Sequence, residues 1–258
     1  MIFGYFDESG ENGDGFFVVA GFVGRRKDWR KFLGLWREGL AGRPSLHLAD
    51  MRLGSSKAPT RHGDLLLRLG SIPHKSNLHA FAGSVRTSDY ADKIKGTIAE
   101  IGLSGYSVAL VAMVDAILES KRISKQDRIE FTFEDQVHFA ITRAATFRDL
   151  RQAKHYKTHH GKSRVGNDSA MAASPILEAS DYLSYAILQQ LIDPGSQKAK
   201  LTAPILEASQ PIDHVEITKD NVEQLIKHVY SDHGEEIPKM GREKRAFILD
   251  KMKTSLKD

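Results

Sequence analysis

The feature that most constrains the fold stands at the start of the chain, where "MIFG" leads into "YFDESGENGDG" and then into "FFVVAGFV". Residues 2 to 6 and 16 to 23 are rich in Phe, Val, Tyr and Ile, side chains that suit a pleated, half-buried surface. The Gly, Asn and Asp residues between them supply turn conformations, so the two runs read as a hairpin whose loop exceeds the tightest turns. The first pair of any sheet built here is therefore antiparallel. The first strand also ends on two adjacent carboxylates, Asp7 and Glu8.

Downstream, strands and helices alternate. A helix is expected from about Lys27 to Leu40, with Trp29, Phe32, Leu33 and Trp36 on one face, ended by Gly42 and Pro44. "SLHLADM" is short and alternating, and "HGDLLLRLG" reads as a second helix closed by Pro73. Residues 77 to 87 look like a third strand. From Ser88 to Lys121 the pattern is mostly helical, although "YSVALVAMV" could also form a strand. "DRIEFTF" at 127 to 133 alternates as a strand and runs into Glu134 and Asp135, with a helix expected from Val137 to Ala153. "KHYKTHHGKSRVGNDS" is polar and aperiodic, and reads as a loop. "PILEASDYLSYAILQQLI" at 175 to 192 reads as a helix, capped by Ser174, with Pro175 first and Pro194-Gly195 beyond its end. Residues 195 to 258 form a more polar extension, with helices expected near 219 to 231 and 241 to 256. The hexapeptide "PILEAS" occurs at 175 to 180 and again at 204 to 209, without a longer period that would make a repeat architecture. This succession argues for an α/β domain with a mixed sheet over residues 1–194, followed by a basic-ended helical extension over 195–258.

Composition narrows the chemistry. With no cysteine among 258 residues, disulfides, thiol nucleophiles and thiolate metal sites are excluded, and a metal would need oxygen or imidazole ligands. The longest apolar run, "VALVAMV", is far short of a bilayer span, so no membrane partner and a cytoplasmic location are expected. Net charge is only +4, but its distribution is uneven. Seven Lys or Arg stand between Arg25 and Arg43, and seven between Lys239 and Lys257. A third group, Arg148, Arg151, Lys154, Lys157, Lys162 and Arg164, has three histidines interspersed and Asp149 as its only acid. Any one cluster reads equally well as a solvated face; three together favour DNA or RNA as partner.

Acidic residues recur at element ends: Asp7 and Glu8, Glu134 and Asp135, and Glu178 with Asp181. The last two are three apart on a helix, hence on one face, and apolar neighbours on that face should pack on the sheet. Carboxylates in such a place are costly unless a cation or hydrogen bonds hold them as anions. Converging Asp or Glu with water positions left open suit Mg²⁺ or Mn²⁺, which can activate water for phosphodiester cleavage. Turn chemistry at Asp7, capping at Glu134 and Asp135, and a helix-dipole role for Glu178 are the plainer alternatives. His47 and Asp50 in "HLAD" have helical spacing and are a candidate auxiliary ligand pair, although a single such pair is more often structural than metal-binding. The acidic loop lacks EF-hand spacing, "HGKS" lacks the first glycine of a P-loop, and "GDGFFV" has Val18 in place of a dinucleotide fingerprint's third glycine.

The stretches "YFDESG", "FFVVAGFV" and "LEASDYLSYAI" resemble a bacterial and phage family catalogued as domain of unknown function thirty-eight hundred. Its members open with a strand into F-D-E-S-G and close with a helix containing L-Q-x-A-D. Asp7, Glu8, Ser9 and Gly10 match the first motif; Leu177 and Asp181 match the second, with Glu178 for Gln and Ser180 for Ala. The resemblance covers about residues 1 to 192. It implies an RNase H-like fold and a metal-dependent nuclease site, with Asp7, Glu134 and Asp181 catalytic and metal-binding and Glu178 either an added ligand or a solvated carboxylate. Glu8, His47, Asp135 and Asp168 are auxiliary candidates. Two other readings stay open: a nucleic-acid-binding module without catalysis, and an interaction component of a phage-defence system. A second copy of the chain is a further possible partner.

Overall fold

The N-terminal hairpin forms: β1 (Ile2–Ser9) pairs antiparallel with β2 (Phe16–Gly24), Asp7 lying opposite Ala20 and Glu8 opposite Val19. The computed structural model describes residues 1–10, 15–43, 46–94, 105–124, 126–133, 156–160 and 175–222. Across them run α1 (Arg26–Leu40), a 3₁₀ turn (Leu48–Met51), α2 (Ala58–Gly70), α3 (Ile72–Lys75), β3 (His79–Arg86) and α4 (Thr87–Ile94). Then follow α5 (Gly105–Glu119), β4 (Ile129–Phe133), β5 (Tyr156–His160), α6 (Pro175–Ile192), α7 (Gln197–Ala208) and β6 (Asp213–Ile217).

The strands make one sheet in the order β5-β4-β1-β2-β3-β6. β1, β2 and β3 form an antiparallel meander, while β4 runs parallel to β1, β5 to β4 and β6 to β3. A meander continued on the far side of its first strand by parallel strands is an RNase H-like arrangement. β1 thus lies inside the sheet, and β1 and β4 point their C-terminal ends the same way.

Helices cover both faces, which is why every residue of β2 is buried and its sequence carries no polar alternation. Phe16, Val18, Ala20 and Phe22 meet a layer that includes α1, α2, α6 and α7. Trp29, Phe32 and Trp36 of α1 form a chain of ring contacts there, with centroids 5.4 and 5.0 Å apart. On the opposite face Phe17, Val19 and Val23 pack with α5. The "YSVALVAMV" run is therefore helical, and it is buried on nearly all sides. Its close approach depends on Gly83 of β3, where a Cβ would collide with the Ala109 carbonyl and the Met113 amide.

Three segments depart from the sequence reading. Tyr156–His160, expected as loop, pairs with β4 as the edge strand β5. An edge strand uses its backbone groups on one side and needs no apolar alternation, so the pattern gave no sign of it. "HLAD" is not an α-helix: His47 precedes a 3₁₀ turn, which eclipses residues three apart. From the expected C-terminal extension, α7 packs on α2 and α6, and β6 joins the sheet beside β3. The helices expected at 137–153 and 241–256 lie outside the described residues, as does most of the one near 219–231, of which 219–222 are helical. Among the described residues no helix is long and apolar enough to cross a membrane.

Candidate functional site at the end of the central strand

Strand alternation decides where the first motif points. Tyr5, Asp7 and Ser9 share the face covered by α6, whereas Glu8 is turned to the opposite face with Val19. Asp7 is only 5% exposed. Its Oδ1 accepts the Glu8 backbone N–H at 2.9 Å.

Helix α6 is fastened across this strand end by two side-chain contacts. Ser180 Oγ donates to the Tyr5 carbonyl at 2.8 Å, and the Ser9 and Ser184 hydroxyls meet at 2.9 Å. Ser184 Oγ also donates to the Asp181 carbonyl at 3.1 Å, so Ser9 is the donor in the pair. The helical turn from Ser180 to Ser184, which carries Asp181, therefore lies over the strand from Tyr5 to Ser9, with Asp7 midway along it.

Asp181 faces the 3₁₀ turn. Its Oδ2 accepts the Leu48 N–H at 3.3 Å and stands 3.3 Å from His47 Nδ1, an ion pair when that imidazole is protonated. Glu178, one turn earlier, is 2% exposed and accepts the indole N–H of Trp36 at 2.9 Å. Burial pushes its carboxyl above the ordinary range; the Trp36 and Leu46 hydrogen bonds oppose that shift and the charge of Asp181 adds to it. The solvated role allowed for Glu178 is thus corrected, because the apolar flank of α1 lies against this side of α6.

Asp181 stands beside His47, Glu178 lies one turn earlier on α6, and Asp7 lies on the strand beneath this turn. Among the described residues no group of three or more His, Asp or Glu could hold a metal ion. Asp7 and Asp181 supply hard oxygen donors of the type a divalent cation takes, while Glu178 is engaged by Trp36. β4 ends at Phe133, the partner of Phe6, one residue short of Asp7 in register. Glu134 and Asp135 follow Phe133 in the chain and lie outside the described residues, as do Asp168, Arg148, Arg151, Lys154, Lys162 and Arg164. Lys157 is on β5, its backbone opposite Glu130.

Sequence reading passed over the contributions of Trp36 and of the serines that clamp α6. Trp36 was legible as apolar, yet a buried indole N–H almost always needs an acceptor, and Glu178 is that acceptor. Comparison with protein-family models, curated proteins and solved structures gave no match.

Proposed function

We propose that the chain is a metal-dependent nuclease, hydrolysing phosphodiester bonds of DNA or RNA at the end of β1. The observation that carries this reading is a buried Asp7 at the C-terminal end of an interior strand, beneath the helical turn that bears Asp181. The resemblance of "FDESG" and "LEASD" to the paired motifs of a nuclease-like family supports it.

On this reading Asp7 and Asp181 hold Mg²⁺ or Mn²⁺, with Glu134 completing the set. The cation would lower the pKa of a bound water and neutralise charge on the leaving oxygen. Asp181 is oriented for this role by the Leu48 amide and His47. Glu178 serves as a support, tying α6 to α1 through Trp36. Lys157 and the neighbouring basic residues from Arg148 to Arg164 would contact the phosphate backbone, making binding strongly salt-dependent.

The test is cleavage of labelled single- and double-stranded DNA and RNA by the full chain with and without Mn²⁺. Asp7→Asn and Asp181→Asn should each cut metal-stimulated cleavage by roughly a hundredfold or more, the order lost when one electrostatic stabiliser is removed, with the thermal midpoint little changed. Equal cleavage by wild type and both variants overturns the proposal. Metal-indifferent binding without cleavage would identify a non-catalytic nucleic-acid module instead.

A further inference from the structure

Beside the carboxylates, on the side of Asp181 that carries His47, the end of α1, the 3₁₀ turn and α2 enclose a cavity of about 460 Å³. Its floor is apolar, with Leu46 and Leu65 buried, and its walls carry Arg43, Arg52, Arg61, His47 and His62. No carboxylate is among the described residues that line it. The three guanidinium groups make no ion pair or side-chain hydrogen bond among the described residues.

Local structure does not account for this gathering of cations. Arg43 follows the C-terminal end of α1, where the helix dipole favours positive charge. Arg61 and His62 stand at the start of α2, the end that disfavours it, and the first turn of α2 has no acidic residue to compensate. Arg52 adopts φ 47, a left-handed backbone uncommon for a residue with a side chain. His62 Nδ1 is shut off from solvent without a hydrogen-bond partner among the described residues. Burial, then Arg43 and Arg61, push its imidazole below the ordinary range, with the Met51 backbone opposing that shift. Like charges assembled in a concave wall concentrate a positive potential that an anion would relieve. Guanidinium forks suit phosphate oxygens in particular.

We propose that this cavity is a phosphate subsite, in which Arg52 and Arg61, with Arg43, bind a backbone phosphate of a polynucleotide whose neighbouring linkage lies at Asp7 and Asp181. The position of the neighbouring linkage rests on the nuclease reading, and the phosphate subsite on the cavity's own chemistry. His47 is the hinge between the two, lining the cavity and facing Asp181.

The experiment separates the two halves. Binding of fluorescein-labelled 12-nucleotide single-stranded DNA and RNA to the full chain is followed by anisotropy in EDTA, where no cleavage contributes. The double variant Arg52→Gln/Arg61→Gln is compared with Lys121→Gln/Lys219→Gln, which makes the same change in net charge elsewhere. The subsite variant should bind about tenfold more weakly than the control, and its plot of log affinity against log salt should be shallower by about 0.7, one lost phosphate contact on a single strand. Loss no greater than the control's overturns the subsite, even if cleavage still depends on Asp7 and Asp181. Arginine-dependent binding without any cleavage supports the subsite and sinks the nuclease reading alone. Inorganic phosphate is the second arm: if it raises the thermal midpoint of wild type but not of the variant, while neither oligonucleotide binds, the site takes free phosphate and the polynucleotide assignment is overturned.

Discussion

The same six residues, "PILEAS", occur twice in this chain and meet opposite fates. In α6 they open the helix, and Pro175 needs no amide partner there. In α7 they close it, and Pro204 stands inside the helix. Glu178 of the first copy is buried against Trp36, whereas Glu207 of the second is exposed. Ser180 donates to the Tyr5 carbonyl; Ser209, also buried, has no side-chain partner among the described residues. Asp181 follows the first copy and Gln210 the second. Local sequence is held constant by this accident, so what distinguishes the copies is what packs on them. A carboxylate acquires chemistry here because α1 and β1 lie against it.

The comparison can be broken in order of expected effect. Trp36→Phe leaves the Glu178 carboxylate without its indole donor and should cost about 1–3 kcal/mol in denaturant unfolding. Glu207→Ala, removing the matching exposed carboxylate, should stay within about 0.5 kcal/mol of wild type. If both substitutions were equally mild, the buried hydrogen bond would have no special weight.

The serines give a smaller contrast. Ser180→Ala removes a bond that holds α6 to β1 and should lower stability by about 1 kcal/mol. Ser209→Ala removes only a buried hydroxyl without a side-chain partner and should be neutral or slightly stabilising. Similar losses at both positions would show that the helix-to-strand clamp is not what matters.

The smallest effect is in pH dependence. Burial holds the Glu178 carboxyl above its ordinary range, so between the unfolded and folded values the native protein keeps a proton that the unfolded chain has released. Stability from this group is therefore greatest at the acid end and declines as pH rises through that window. Glu178→Gln should gain stability relative to wild type from acid to neutral pH, while Glu207→Gln should track wild type throughout. A difference between Glu178→Gln and wild type that does not change with pH would contradict the assignment.

How much of this was legible in the sequence follows from the same contrast. α1 and β4 announce themselves through periodicity, the hairpin through apolar runs on either side of turn residues, and α6 through Pro175 at its start and Pro194-Gly195 beyond its end. Asp7 and Asp181 could be singled out as candidates, since a carboxylate at a strand end or amid an amphipathic turn is costly. β5 could not, because a polar edge strand is specified by its partner's backbone. α7 was hidden by Pro204, which reads as punctuation and sits mid-helix. The engagement of Glu178 was illegible from either copy of "PILEAS", because Trp36 lies 142 residues away. The phosphate cavity was likewise dispersed: Arg43, Arg52 and Arg61 come from three elements, and only the first stood in a cluster that composition picked out.

The central claim is that Asp7 and Asp181, separated by most of the domain in sequence, belong to one divalent-cation site. Calorimetric titration of Mn²⁺ into the full chain tests it directly. Saturable binding by wild type, weakened about tenfold or more by Asp7→Asn and equally by Asp181→Asn but unchanged by Glu207→Gln, is the predicted result, since each carboxylate would bind the ion directly through an oxygen. Mn²⁺ affinity unchanged in either aspartate variant would contradict it.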